Sequence, residues 1–144
     1  MNKLLWVLQY FLGIYWVALG VLHFVVPPGL PGPFAWMYEL DPTLHAISGT
    51  LEILGGLGLI LPAVFRVYQF LIPLAAVGLS LVMVGAMVWH ADHGSFAATG
   101  PVNIVLMLFM LFVAWGRGVR YPLGTWKSTS KKVPTNRHRP YAAE

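Results

Sequence analysis

Along the chain, long apolar runs alternate with short polar or Pro/Gly-rich breaks, a pattern that predicts four membrane-spanning helices. Leu4 to Val26 carries no formal charge and is long enough for the roughly 20 apolar residues a helix needs to cross a hydrocarbon core. Val25-Val26-Pro27-Pro28 follows where a secretory leader would carry small residues, so the run reads as a retained span. The connection from Pro27 to His45 contains Pro-Pro-Gly-Leu-Pro-Gly-Pro, which cannot continue a helix because each proline lacks an N–H. A second span is expected from Ala46 to Phe65, interrupted only by Glu52, with Pro62 tolerated near its end. Arg66 marks its exit. The third span, from about Val67 to Trp89, must fold back on the second through a very tight connection, as an antiparallel hairpin. His90-Ala-Asp-His-Gly-Ser reads as a polar turn. The fourth span is expected from Pro101, a residue suited to a first turn, through Trp115, or from Phe96 with Pro101 as a kink. The predicted fold class is therefore all-α, a four-transmembrane-helix antiparallel bundle.

Charge gives the bundle a direction. Of the 9 Lys and Arg residues, Lys3, Arg66 and all those from Arg117 to Arg139 fall on one side, and the connections Pro27 to His45 and His90 to Gly100 hold none. The tendency of Lys and Arg to stay in cytoplasmic loops then predicts a multi-pass protein of the cell membrane with both termini cytoplasmic. Trp6, Trp36, Trp89 and Trp115 fall near span ends, where indole rings prefer the headgroup layer. We expect a membrane domain over residues 1–118. Residues 119–144 form a basic cytoplasmic tail with too few apolar residues to pack, expected to be disordered or laid on anionic lipid.

Composition agrees: 58% of residues are hydrophobic and 10% charged, against about a quarter charged in soluble domains. The chain has no cysteine, which removes disulfides, thiolate metal sites, iron–sulfur clusters and dithiol redox motifs. Its net charge of +4 sits at span ends and in the tail and makes no basic groove, so no nucleic-acid partner is expected.

The candidate chemistry lies in a few polar side chains at similar depth near the outer leaflet. Glu52 stands roughly 9 Å below Ala46 at 1.5 Å per residue, too deep to reach bulk water easily. His23 precedes the outer end of the first helix, Ser48 shares a face with Glu52, Asn103 begins the fourth helix and His90 ends the third. A lone carboxylate in lipid costs several kcal/mol, so Glu52 is expected to be protonated or paired with His23 or His90. Small residues let helices approach, and Gly13, Gly20, Gly49, Gly55, Gly56, Gly78 and Gly85 are the packing candidates. Two readings of the polar set stand open: a hydrogen-bond network that only joins helices, or a pocket reached by a small molecule or a proton. His23, Glu52, His90 and His93 offer donors of the kind zinc or iron accepts, but no ExxH or HExxH spacing supports a metal. His45, Asp92 and His93 read as solvated loop groups, and Met83, Met87, Met107 and Met110 as packing. No nucleophile–base motif or phosphate loop is present, so the chain is not expected to be an enzyme on its own.

Gly20-Val-Leu-His-Phe, Ser48-Gly-Thr-Leu-Glu-Ile-Leu-Gly-Gly-Leu-Gly-Leu and Pro101-Val-Asn-Ile resemble the signature stretches of the DoxX-like family of small four-helix membrane proteins. The likeness covers roughly Leu4 to Trp115. It implies a four-helix bundle but no single function, since most members have no assigned activity, some are associated with quinone-linked sulfur oxidation or redox-stress complexes, and an animal branch that resembles them assists receptor assembly. The leading expectation is an accessory subunit or assembly factor of a larger membrane complex, of respiratory or redox type. The alternative is a quinone- or lipid-binding redox component using Glu52 and His23, and a third is a small transporter. Membrane lipid, other membrane subunits or further copies of the chain are the expected partners, and quinone or lipid the only cofactor classes suggested.

Overall fold

In the computed structural model, which describes residues 1–123, the apolar runs form α1 (Asn2–Val25), α2 (Pro42–Phe65), α3 (Leu71–Asp92) and α4 (Phe96–Trp115). All four are long and apolar enough to span a membrane. A π turn, Gly116–Arg120, prolongs α4, and a 3₁₀ helix, Gly32–Tyr38, lies in the first connection. No strand occurs among the described residues. Most of the tail expected from residue 119, from 124 to 144, lies outside them.

Helix boundaries differ from expectation where local chemistry outweighs hydropathy. Asp41 caps α2 by accepting from the Thr43 N–H at 2.7 Å, and Pro42 takes the first helical position, so α2 starts before Ala46. That N–H holds the Asp41 carboxyl below its usual range. The cap's contribution is therefore complete above the unfolded carboxyl value and fades as pH falls through the folded one. α3 begins at Leu71, after Val67, because Arg66 and Tyr68 take left-handed φ values of 58° and 47° to turn the chain. α4 begins at Phe96 with Pro101 inside it, the earlier of the two expected starts.

α1 packs chiefly on α2, α2 on α3 and α3 on α4, while α1 and α4 meet more sparsely. Buried Leu12, Trp16, Leu59, Leu79, Met83 and Met110 bring all four helices into one core. The α1–α2 seam is set by glycine. A Cβ on Gly20 would stand 2.7 Å from the Gly49 carbonyl oxygen, and one on Gly56 would stand 2.6 Å from the Gly13 carbonyl oxygen. Such distances leave room only for hydrogen. This seam sets the His23 Cβ against Gly49, and the Glu52 side chain, one turn beyond Gly49, reaches the His23 ring. Asn2, Arg66 and Arg117 lie at one end of the bundle, the terminal end; the connections after α1 and α3 form the loop end.

Candidate functional site

A cavity of about 770 Å³ runs between α2 and α3. Its walls are apolar, from Leu71 and Leu74 near the terminal end to Leu44 and Ile47 near the loop end. Leu51, Leu54, Leu74 and Leu81 are exposed on the bundle surface, so the cavity is a groove open to the surrounding hydrocarbon. Gly78 and Gly85 on α3 line it, and no atom outside their own helix lies within 4 Å of a Cβ placed on either. They make room in the groove, whereas the Gly13, Gly20, Gly49 and Gly56 positions close the α1–α2 seam. Gly55, on the groove wall, packs against Leu79.

The loop end of the groove is polar. His23, Glu52 and His90 are 3%, 3% and 2% exposed, buried enough that water does not screen them. His23 Nε2 stands 3.6 Å from Glu52 Oε2, an ion-pair distance if the ring is protonated and longer than a hydrogen bond. Among the described residues neither atom has a hydrogen-bond partner. Ser48 lines the groove beside them, half-buried. His90 Nδ1 pairs with Ser95 Oγ at 2.8 Å. Starting α2 at Pro42 puts Glu52 about 15 Å along the helix, deeper than its distance from Ala46 suggested.

Two residues outside the expected site complete this end. His45, read as a solvated loop group, is half-buried in the first turn of α2, with Nδ1 2.9 Å from His23 Nδ1. Its position follows from the Asp41 cap and Pro42, a start signal legible in the sequence. Trp36, carried inward by the 3₁₀ helix, packs near two of the histidines, its ring centroid 5.7 Å from His23 and 5.4 Å from His90. No sequence signal marked it as more than a headgroup-layer indole. Asn103 is not brought to the groove; its Nδ2 is buried on α4 without a partner among the described residues. His93 caps the C-terminal end of α3 and is exposed, stacked on Trp89 at 4.0 Å, and does not line the groove. Among the described residues no three His, Asp or Glu side chains are grouped to hold a metal ion.

A model of the DoxX-like family matches residues 7–113. The chain belongs to the DoxX-like family. That span takes in nearly all of the membrane region, including every residue at the groove's polar end. No curated relative and no solved structure matches the chain. Membership and four apolar helices make it an integral membrane protein.

Proposed function

We propose that this DoxX-like protein binds a quinone-class amphipath in the α2–α3 groove. The headgroup sits among Glu52, His23 and His90, and the isoprenoid tail runs along the leucine- and glycine-lined wall into lipid. One observation carries this reading: an apolar, lipid-open cavity ends on buried titratable side chains, two of whose polar atoms have no partner among the described residues. Its volume falls within the roughly 300–1,000 Å³ of small-molecule pockets. A buried polar atom without a partner is destabilising by about 1–3 kcal/mol, and a headgroup that hydrogen-bonds it relieves that penalty. Quinone carbonyls only accept, so the donors they need are a neutral imidazole, which His90 can offer from Nε2, and the protonated Glu52 carboxyl, with His23 beside them. Protein purified in mild detergent from native membranes should carry quinone detectable by mass spectrometry, with less in His23→Ala and Glu52→Ala.

The accessory-subunit reading is kept for one reason. The open face at Gly78 and Gly85 would also admit a neighbouring membrane helix at close range. Purified chain that carries no quinone, and variants that lose only a co-purifying protein, would favour this reading and end the first. In either case the basic residues support cytoplasmic termini and an outward-facing polar end. A single Cys at Thr43 should then react with an impermeant maleimide added outside, and one at Ser128 should not; the reverse pattern would invert the topology.

A further inference from the structure

The polar end of the groove continues past Glu52 and His23. His23 Nδ1 meets His45 Nδ1 at 2.9 Å, and His45 Nε2 meets the Met37 backbone carbonyl oxygen at 2.8 Å. Glu52 and His23 are buried and His45 is half-buried at the loop end, so the row runs from the groove toward solvent. His90 is not part of it, because its Nδ1 pairs with Ser95 Oγ instead, and the Trp36 ring packs near both His90 and His23.

The last member of the row fixes the order of its hydrogens. A carbonyl only accepts, so a neutral His45 must carry its proton on Nε2 and offer Nδ1 as the acceptor. His23 then donates from Nδ1, and its Nε2 keeps a lone pair facing Glu52 Oε2 at 3.6 Å. Only the carboxylic acid form of Glu52 can bring a donor to that lone pair. The uncharged row therefore holds one transferable proton between Glu52 and His23, passed when the carboxyl swings within hydrogen-bond reach of the ring.

We propose that Glu52, His23 and His45 form a proton relay between the groove and the loop-end surface. Glu52 gives its proton to His23 Nε2, His23 gives its Nδ1 proton to His45 Nδ1, and His45 releases its Nε2 proton to water. The Glu52 carboxylate takes a proton from a protic group in the groove, so one proton enters, one leaves and the row ends uncharged. Both rings are then in the opposite tautomer, with the His45 Nε2 lone pair against the Met37 carbonyl. That repulsion favours turning the rings back. The source of the proton rests on the groove being a ligand site, whereas the path belongs to the chain alone.

Infrared spectroscopy of the full chain in lipid nanodiscs tests the path. The Glu52 carboxylic acid band is assigned by its loss in Glu52→Gln, and its rate of shift on transfer to D₂O reports proton exchange. His45→Gln retains an N–H for the Met37 carbonyl and an acceptor for His23 but passes no proton. It should slow the shift by roughly a hundredfold, the lower range of what a positioned proton-transfer group contributes. His93→Gln, on the exposed side, should match the parent. Equal rates in His45→Gln and the parent, or no acid band that disappears in Glu52→Gln, would overturn the relay. The unsubstituted chain supplies a check independent of variants, since a ¹⁵N–¹⁵N coupling should cross the His23–His45 bond, and its absence would also overturn the proposal. A slowed His45→Gln in protein that binds no quinone supports the relay and removes only the ligand reading.

Discussion

The bundle buries a polar cluster at each end, and the two are built differently. At the terminal end Arg117, 3% exposed, donates from Nε to Gln9 Oε1 at 2.7 Å and from Nη1 to Asn2 Oδ1 at 3.0 Å, and its guanidinium lies 4.5 Å from the Trp6 ring centroid. Gln9 in turn donates to the Leu59 carbonyl oxygen at 2.7 Å. Arg117 Nη2 alone is left without a partner among the described residues, and Arg117 does not line the α2–α3 groove. This cluster ties α1, α2 and the π turn together. At the loop end Glu52 and His23 keep unpartnered atoms beside a cavity of about 770 Å³. Burial alone therefore does not mark a functional polar group in a membrane bundle. A cluster whose bonds end on its own chain joins helices, whereas one whose bonds stop at a cavity leaves polar atoms that the proposed ligand would engage.

The sharpest way to break this contrast is at Gln9. Gln9→Leu leaves the buried Arg117 Nε–H and the Leu59 carbonyl oxygen without their partner, and the two losses, one of them at a charged group, should together be destabilising by about 2–5 kcal/mol. Unfolding in mixed micelles should show that loss, with little change in what the groove binds. Stability within about 1 kcal/mol of the parent would mean that the terminal-end cluster does not join the helices as described.

The next effect separates the two kinds of glycine. A Cβ on Gly49 meets the Gly20 carbonyl oxygen and the His23 Cβ at 2.8 Å, so Gly49→Ala should be destabilising by about 1–3 kcal/mol. Gly78 has no such neighbour. Gly78→Ala should instead be neutral or stabilising by up to about 1 kcal/mol, the helix preference of alanine over glycine. Equal losses at both positions would erase the distinction between seam and groove wall.

Glu52 gives the smallest expected change. Glu52→Gln keeps a donor and the shape and should alter stability by less than about 1 kcal/mol, whereas Glu52→Leu leaves His23 Nε2 without a polar neighbour and should be destabilising by about 1–3 kcal/mol. Identical melting of all three proteins would show that no neighbour depends on this carboxyl.

The four helices were legible because charge-free runs longer than a soluble core needs leave few alternatives. Their ends were not, where capping and turn chemistry outweigh hydropathy. Asp41-Pro42-Thr43 carried a readable start for α2 that an apolar count beginning at Ala46 passes over, and His45 was misplaced with it. Val67, Tyr68 and Phe70 are apolar or aromatic and read as helix, but they form the exposed turn before α3. A histidine partner for Glu52 was legible from depth and from the cost of a lone buried carboxylate, but the choice of His23 over His90 was not. Nor was Trp36, because its place depends on how the 3₁₀ helix folds back over the bundle. Arg117, counted among the charges that orient the chain, proved a buried partner of Gln9, a contact between residues 108 apart in sequence that no local pattern encodes.

The central claim is that the groove takes a ligand while the terminal-end cluster only holds the bundle. It is tested most directly by quenching of intrinsic tryptophan fluorescence with a short-chain benzoquinone, since Trp36 and Trp89 line the groove. Gly85→Leu fills the groove wall at a position with no neighbour within 4 Å, and Gly118→Ala adds a Cβ at the terminal end 3.5 Å from Pro73, an ordinary contact. The account predicts saturable quenching in the parent, retained in Gly118→Ala and lost in Gly85→Leu. Quenching that never saturates, or that saturates equally in Gly85→Leu, would contradict it.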